Sequence, residues 1–447
     1  MPKYKKLLTP GAIIAMGFGG TILLGALLLT LPFATRSGNS AGFSDALFTA
    51  ASATCVTGLV VQDTFRYWSG FGQFIILLLI QIGGMGVITM SIAVFALTGK
   101  KIGLKSRFVM QESISAPQMG GIIRFTRFIL KATLLFEGSG ALLLALRFCP
   151  RHGLGQGLWM AVFHSISAFC NAGFDLMGRF GSFSSLTAYA FDPVVNIVIM
   201  FLIIIGGIGF FVWDDIYVHR LRVKAYRLHT KIVLVTTLCL LIIPAIYYFF
   251  AEFSRSQWNF SNMGQQFFAA LFQTVTARTA GFNTVDLQLM TGTPLTMMIV
   301  LMLIGGSSGS TAGGLKTTTF AVMLLSVRSV FKKQEHIQCF GRRLPPETLR
   351  YAAALFSMYI TLCLVSAGII SSVEHVGMMA AIFEAGSAVD TVGLSLGLTP
   401  SLSLLSRVIL IMLMFFGRVG GLTLIFAMNG QFVPSVAQMP QEKITVG

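Results

Sequence analysis

The chain has 447 residues, of which 55% are hydrophobic and only 11% are charged. Soluble domains carry about 25% charged residues, so this composition excludes an ordinary soluble protein and indicates a chain that lies mostly in lipid. The net charge of +16 arises from Lys and Arg in short segments between apolar runs, which argues against the basic face of a nucleic-acid-binding protein.

The apolar runs predict eight membrane-spanning helices, because a span needs roughly 20 apolar residues. In chain order the predicted spans are 11–33, 73–97, 126–148, 191–216, 231–250, 295–325, 349–371 and 404–427. Between the two members of each successive pair lies an apolar segment of about half that length, which is too short to cross a bilayer.

Basic residues are concentrated in alternate connections between these spans. Of the 32 Lys and Arg, 22 lie in residues 1–10, 98–131, 217–231, 326–350 and 427–447. Cytoplasmic segments of membrane proteins carry an excess of Lys and Arg. Both termini are therefore predicted to be cytoplasmic, and the half-length segments are predicted to enter the membrane from the outside and return.

The four half-length segments resemble one another. Each begins with an apolar pair, passes through small hydroxyl-bearing residues and ends in Gly followed by Leu or Phe. The glycines are Gly58, Gly173, Gly281 and Gly393, with spacings of 115, 108 and 112 residues. Re-entrant backbone survives in a membrane only if it is buried in protein or lines water, so four such hairpins around one axis predict a water-filled pore.

The predicted fold is an all-α integral membrane protein of four pseudo-symmetric repeats. Each repeat consists of a first span, a re-entrant pore helix with its turn, and a second, inner span, abbreviated M1–P–M2. The predicted repeats are residues 1–110, 111–220, 221–335 and 336–447.

The glycine turns suit a potassium filter, which replaces the hydration shell of K⁺ with rings of backbone carbonyls. A Cβ obstructs the backbone angles that point successive carbonyls toward one axis. The fourth repeat reads Thr391-Val392-Gly393, like the front of the Thr-Val-Gly-Tyr-Gly filter of potassium channels. The candidate filter residues are Cys55, Val56, Thr57, Gly58, Cys170, Asn171, Ala172, Gly173, Arg278, Thr279, Ala280, Gly281, Asp390, Thr391, Val392 and Gly393.

The third inner span is interrupted by ten consecutive Gly, Ser, Thr and Ala residues. Each Gly costs a helix roughly 1 kcal/mol, so we expect a break at 304–316 that lines a cavity. Arg418 lies at the matching depth of the fourth repeat, either as a functional residue or as a structural, snorkelling one. The candidate gate residues are Gly305, Gly306, Ser307, Ser308, Gly309, Ser310, Thr311, Ala312, Gly313, Gly314, Lys316 and Arg418.

Several further features have a structural interpretation. The glycine pairs at 83–84 and 206–207 are expected to form a packing face between helices. Glu384, Asp390 and Arg278 either shape the electrostatics of the pore or, as we favour, brace the filter from behind. A buried, hydrogen-bonding role is favoured for His164 over a metal ligand. The six cysteines form no CxxC pair, so neither a zinc site nor a disulfide framework is expected.

These features together resemble the Trk/Ktr/HKT superfamily of K⁺ transporters, and in particular the membrane subunits of bacterial Ktr potassium uptake systems. The resemblance covers the whole chain. It implies that each repeat supplies one filter glycine, that K⁺ passes along the backbone carbonyls, and that the broken third inner span is an intramembrane gating loop beside a pore arginine. A Ser in the first filter position is associated with sodium permeation in this superfamily. Gly58 stands there, which implies selectivity for K⁺.

The resemblance also implies partners and a location. Two copies are expected to form a homodimer in the lipid of a bacterial plasma membrane, on a cytosolic KtrA-like RCK ring that binds ATP or ADP. K⁺ is the transported ion, with Na⁺ as a second ion whose role in driving or stimulating transport stays open. No organic cofactor is expected in this chain.

Three other interpretations fit the sequence less well. An alternating-access carrier for another small solute also uses broken helices and repeats, but its repeats are usually two and inverted. An enzyme embedded in the membrane would need clustered His, Asp or Glu within the spans, and no such cluster occurs in the sequence. A phosphate-binding loop is rejected because Leu315 separates Gly314 from Lys316, whereas that motif needs Gly next to Lys.

Overall fold

The computed structural model describes residues 9–86, 122–220, 222–258, 260–290 and 292–421 of the chain. Within these ranges the fold is almost entirely helical, as the all-α prediction requires. A chain in lipid must satisfy its backbone polar groups internally, and helices do so within one segment.

The helices of the described residues are numbered here in chain order. They are α1 (Pro10–Leu29), α2 (Phe43–Cys55), α3 (Thr64–Tyr67), α4 (Gly70–Met85), α5 (Ile122–His152), α6 (Leu154–Phe169), α7 (Pro193–Ile208), α8 (Phe210–His219), α9 (Leu228–Tyr247), α10 (Met263–Thr276), α11 (Gly292–Met302), α12 (Thr317–Phe331), α13 (Pro346–Glu374), α14 (Met378–Val389) and α15 (Leu404–Val419). A short antiparallel strand pair joins α12 to α13, namely β1 (Gln338–Cys339) and β2 (Arg342–Arg343).

Four helices are long and apolar enough to cross a membrane without a break: α1, α5, α9 with the turn that follows it, and α13. They are the first spans of the four predicted repeats.

The start of α1 shows how local residues set the beginning of a helix. The Thr9 hydroxyl accepts a hydrogen bond from the Ala12 N–H, and Pro10 occupies the first helical turn, where it needs no hydrogen-bonded N–H.

The four half-length segments form the helices α2, α6, α10 and α14, of 13, 16, 14 and 12 residues. In the first, second and fourth repeats, this helix packs against both the first span and the inner span of its own repeat. In the third repeat, α10 packs against α9. We call these four helices the pore helices.

Contacts between repeats follow one cyclic rule. The inner helix of each repeat packs against the pore helix of the next, so α4 contacts α6, α7 contacts α10, α11 contacts α14, and α15 returns to α2. This closed order surrounds a single central axis. The ring of repeats is closed by an ion pair between Asp45 of α2 and Arg407 of α15, with a distance of 2.7 Å between Oδ1 and Nη1.

The inner spans are less continuous than the sequence suggested. The expected span 191–216 is a pair of helices, α7 and α8, bent by 93° at Gly209. In the third repeat α11 ends at Met302 and α12 begins only at Thr317, as the run of small residues predicts.

The other two inner helices, α4 and α15, end at Gly86 and Gly420, where φ is +84° and +89°. Their predicted continuations to 97 and 427 lie outside the described residues, as does the predicted repeat boundary at 110. The prediction of a break in the third repeat alone was therefore wrong, because the second inner span is also broken at Gly209. In the first and fourth repeats, the described inner helices end before the matching glycines.

Candidate ion pathway

The four glycines that end the re-entrant segments meet in a ring. A Cβ built on Gly58 would lie 2.5 Å from the Ala172 carbonyl oxygen, and one on Gly173 would lie 2.8 Å from that of Ala280. A Cβ on Gly281 would lie 2.7 Å from the Val392 oxygen, and one on Gly393 would overlap the Thr57 oxygen. In each repeat, the carbonyl that precedes the glycine therefore lies beside a glycine of the adjacent repeat, and any side chain would fill that space.

Each glycine is preceded, two residues earlier, by a second residue in the left-handed region. These residues are Val56, Asn171, Thr279 and Thr391, with φ of 56°, 57°, 60° and 52°. Three of them are β-branched, for which this conformation costs roughly 1–3 kcal/mol. Left-handed residues at every second position turn successive carbonyls to the same side of the segment. We call the extended segments 55–58, 170–173, 278–281 and 390–393 the candidate filter strands. From the sequence, this geometry was expected only of the glycines.

A hydroxyl on each pore helix braces the strand that follows. The Ser52 and Ser387 hydroxyls accept hydrogen bonds from the N–H groups of Gly58 and Gly393, at 3.1 and 3.0 Å. In the other two repeats the Ser167 and Thr276 hydroxyls donate to the carbonyls of Phe174 and Phe282, at 2.7 and 2.6 Å. These small hydroxyl residues were visible in the sequence, but this role was not predicted for them, although each precedes its glycine by five or six residues.

The glycine pairs of the inner helices allow them to pack against the pore-helix ends. A Cβ on Gly83, Gly206 or Gly417 would overlap the carbonyl oxygen of Thr54, Phe169 or Val389, respectively. These contacts agree with the packing face predicted for the pairs at 83–84 and 206–207. They hold the C-terminal, partly negative ends of three pore helices beneath the glycine ring.

A cavity of about 870 Å³ opens above the ring and is lined by all four glycines. Its lining within the described residues includes the carboxylates of Asp63, Asp175 and Asp286 and contains no Lys or Arg. Burial, and to a smaller extent the nearby Asp63 carboxylate, raises the pKa of Asp175 to about 7, although the Met177 N–H donates a hydrogen bond to it. This acidic vestibule therefore attracts cations. None of the three aspartates was found by sequence reasoning, because each lies alone in a loop.

The interrupted segment of the third repeat crosses directly beneath the ring. On one side it binds the second repeat, because the Ser307 and Thr311 N–H groups donate to the carbonyls of Gly207 and Gly206, at 2.9 and 3.2 Å. The Thr311 hydroxyl also donates to Asn171 Oδ1 at 3.1 Å. The loop thus contacts a residue of the second filter strand.

On the other side the loop binds the fourth repeat. The Gly314 N–H donates to the Gly417 carbonyl at 3.1 Å, and the Leu315 N–H donates to Asp390 Oδ1 at 2.6 Å. Because the second and fourth repeats face each other across the axis, the loop spans the pathway from one side to the other. The predicted break at 304–316 therefore lies across the central axis.

Two cationic side chains hold this layer together. Lys316 Nζ donates to the Ala312 and Gly313 carbonyls, at 2.9 and 3.0 Å. Arg418 donates to the carbonyls of Thr311 and Gly84. Both cations line a second cavity of about 210 Å³ below the loop. Arg418 thus fits both interpretations from the sequence, because it is hydrogen-bonded within the structure and also lines the cavity below the loop.

The other residues singled out from the sequence lie behind the ring. Glu384 accepts hydrogen bonds from Ser395, Leu396 N–H and Thr399, and so binds the segment that follows the fourth filter strand. His164 is fully buried. One of its ring nitrogens lies 2.7 Å from the Met160 carbonyl, and the other accepts a hydrogen bond from the Leu176 N–H. This agrees with its predicted structural role.

The residues that begin the four filter strands are all buried: Cys55, Cys170, Arg278 and Asp390. Arg278 Nη2 lies 3.5 Å from the Thr237 hydroxyl, at the C-terminal end of α10, where the helix dipole favours a positive charge. The hydroxyls of Thr57, Thr279 and Thr391 are buried and make no hydrogen bond within the described part of the chain.

The sequence matches the family model of TrkH, described as a cation transport protein, over residues 20–437. The chain belongs to the TrkH family of cation transport proteins. It is 40% identical to the potassium/sodium uptake protein NtpJ of Enterococcus hirae, over 100% of this chain and 99% of the relative. It is also 40% identical to the Ktr system potassium uptake protein B of Bacillus subtilis, over 94% of this chain and 93% of the relative.

The fold agrees with that of a solved TrkH family member. The crystal structure of the potassium transporter TrkH from Vibrio parahaemolyticus matches with a TM-score of 0.74 at 19% identity, over 96% of this chain and 87% of that one. The predicted all-α membrane fold and the resemblance to the Trk/Ktr/HKT superfamily are confirmed. TrkH family proteins move ions and are not enzymes, so the chain is a transporter.

Proposed function

We propose that this TrkH family protein takes up K⁺ through a filter made of residues 55–58, 170–173, 278–281 and 390–393. The observation that carries the proposal is the ring of four glycines, with left-handed residues at alternate positions of each strand. A dehydrated cation needs oxygen ligands on all sides, and four strands with aligned carbonyls supply them without any side chain. The unpartnered Thr57, Thr279 and Thr391 hydroxyls are further oxygens near the same axis.

The selectivity for K⁺ is supported by two arguments. All four ring positions are glycine, including Gly58, and the fourth strand has the Thr-Val-Gly order of potassium channels. Two relatives at 40% identity carry potassium uptake in their names, and one of these names also includes sodium. Na⁺ is therefore proposed as a second ion that stimulates or accompanies K⁺ uptake.

Loop 304–316, with Arg418, is proposed to be the gate. It spans the pathway between the second and fourth repeats, and the two cations below it repel K⁺. An ion would enter through the acidic outer vestibule, lose its water in the filter, and leave when the loop moves away from the axis.

Control of this gate is proposed to come from the cytoplasm. The basic connections between the spans support a cytoplasmic position for both termini in a bacterial plasma membrane. Two copies would form a dimer on a KtrA-like RCK ring that binds ATP or ADP, as expected for the membrane component of a Ktr system.

The test is ⁸⁶Rb⁺ or K⁺ flux into proteoliposomes that contain the purified protein. The wild type is expected to conduct both ions in preference to Na⁺. Gly281→Asp should abolish flux, because its Cβ would lie 2.7 Å from the Val392 oxygen and 3.1 Å from the Gly173 Cα.

Gly377→Asp is the matched control, since Gly377 has open space around it and precedes the pore helix α14. It should conduct like the wild type. Undiminished flux through a correctly folded Gly281→Asp protein would contradict the proposed filter.

A further inference from the structure

Asp390 joins the filter to the loop beneath it. It ends the pore helix α14 and precedes Thr391, the left-handed residue of the fourth filter strand. Its side chain is fully buried, and Oδ1 accepts the Leu315 N–H at 2.6 Å. This hydrogen bond joins two segments that are 75 residues apart in the sequence.

The surrounding packing leaves little freedom for this contact. A Cβ on Gly314 would overlap Asp390 Oδ1, and one on Gly313 would overlap the Thr391 hydroxyl. Gly314 has a φ of +67°, a conformation that a side chain would strain. The C-terminal end of the loop therefore lies directly against the fourth filter strand, with no layer of side chains between them.

The other three filter strands lack an equivalent group. The position of Asp390 is occupied by Cys55, Cys170 and Arg278 in the first three repeats. The second strand touches the loop differently, through the Thr311 hydroxyl and Asn171 Oδ1. Asp390 is thus the one carboxylate at this position, and its partner is a backbone N–H of the loop.

We propose that Asp390 is a positioning residue for ion selectivity, which transmits the position of the loop to the fourth filter strand. The inference rests on the proposed filter and gate. Thr391 is held in a left-handed conformation that a β-branched residue disfavours, so it needs support from its neighbours. Without the hydrogen bond between Asp390 and Leu315, the strand should relax and its carbonyls should lose the spacing that favours K⁺ over Na⁺.

The experiment compares K⁺ and Na⁺ permeability in proteoliposomes for a small set of variants. Asp390→Ala removes the acceptor and should lower the K⁺ to Na⁺ ratio about tenfold, the factor that the loss of one hydrogen bond represents. Asp390→Asn keeps an oxygen in the same place and should retain most of the ratio. An amide-to-ester replacement at Leu315 removes only the donor N–H, and it should reproduce the effect of Asp390→Ala.

A double-mutant cycle separates this role from a merely structural one. The Leu315 ester combined with Asp390→Ala should be no less selective than either change alone. Glu384→Gln is the matched control, because Glu384 is equally buried on α14 but binds Ser395 and Thr399 on the outer side. The effect of Glu384→Gln on the K⁺ to Na⁺ ratio should add to that of the Leu315 ester.

Two results would overturn the inference: an unchanged ratio in Asp390→Ala, or additive effects of that variant and the ester. Wild-type protein that conducts no K⁺ would instead count against the proposed function. Size-exclusion profiles in detergent verify that each variant is folded before its permeability is compared.

Discussion

Arg418 donates a hydrogen bond to the carbonyl of Thr311, which lies 107 residues away in the sequence. The same guanidinium donates to the Gly84 carbonyl at 2.9 Å. One side chain of the fourth inner helix thus joins the loop of the third repeat to the end of the first inner helix. Guanidinium groups suit this task because their donors point in fixed, divergent directions.

Substitution of Arg418 should open the pathway. Arg418→Ala removes the hydrogen bonds to the carbonyls of Thr311, Gly83 and Gly84. It also removes one of the two cations that line the lower cavity, so ⁸⁶Rb⁺ flux without any partner protein should rise by about tenfold. Arg418→Lys keeps the charge but offers a single ammonium group, and its flux should be intermediate. A lower flux in Arg418→Ala, with the protein still monodisperse, would show that Arg418 is required for conduction and does not restrain it.

Removal of residues 307–312 should have a similar effect by a different route. These residues include Ser307 and Thr311, which bind the second repeat, so the shortened loop can no longer span the axis. Flux should increase, and it should depend less on the cytosolic partner. The measurement is ⁸⁶Rb⁺ uptake with and without that partner. Unchanged or lower flux in a well-folded deletion would remove the gate assignment.

Asp175 should make uptake sensitive to external pH. Its pKa is raised to about 7 by burial, so the carboxyl group is neutral below that pH and negatively charged above it. A negative charge in the vestibule raises the local K⁺ concentration. At low external K⁺, uptake should therefore increase as the external pH rises from about 6 to about 8, half of the change being complete near the pKa.

Asp175→Asn should remove this step and keep uptake at the low-pH level throughout. High external salt should weaken this pH dependence in the wild type, because salt screens the attraction between the vestibule charge and incoming K⁺. An identical pH profile in the wild type and Asp175→Asn would assign the titration to another group.

Close packing of the inner helices predicts a stability effect. Gly206→Ala places a methyl group against the Phe169 carbonyl, 2.8 Å from Asn171 Oδ1 and 2.9 Å from the Thr311 hydroxyl. Such overpacking should cost about 1–3 kcal/mol and lower the thermal midpoint in detergent. Gly138→Ala is the control, since Gly138 lies in α5 with open space around it, and it should melt like the wild type or slightly higher. Equal midpoints for both variants would contradict the tight contact.

The repeated architecture was predictable because it has a sequence period. The four filter glycines recur at nearly equal spacing, and the polar run after Ile304 cannot form a firm helix in lipid. The ends of the other inner helices were also visible in principle. Gly86, Gly209 and Gly420 each follow the first glycine of their cluster by three residues, but a glycine in a helix is ambiguous without its φ.

Other features depend on contacts that no local pattern encodes. Val56, Thr279 and Thr391 adopt left-handed conformations that their own propensities oppose, so only the surrounding packing holds them there. The hydrogen bond between Asp390 and the Leu315 N–H joins two repeats and is invisible in either segment alone. The acidic vestibule likewise arises from aspartates in separate loops that the fold brings to one cavity.

In the proposed pathway, four glycine turns hold a dehydrated cation on one axis. Anomalous diffraction from crystals of the protein grown in Rb⁺, with Na⁺ crystals as the reference, would locate that cation. An Rb⁺ peak is expected on the axis, surrounded by the carbonyl oxygens beside Gly58, Gly173, Gly281 and Gly393. Well-ordered filter strands with no Rb⁺ peak on that axis, or with peaks only elsewhere in the protein, would contradict it.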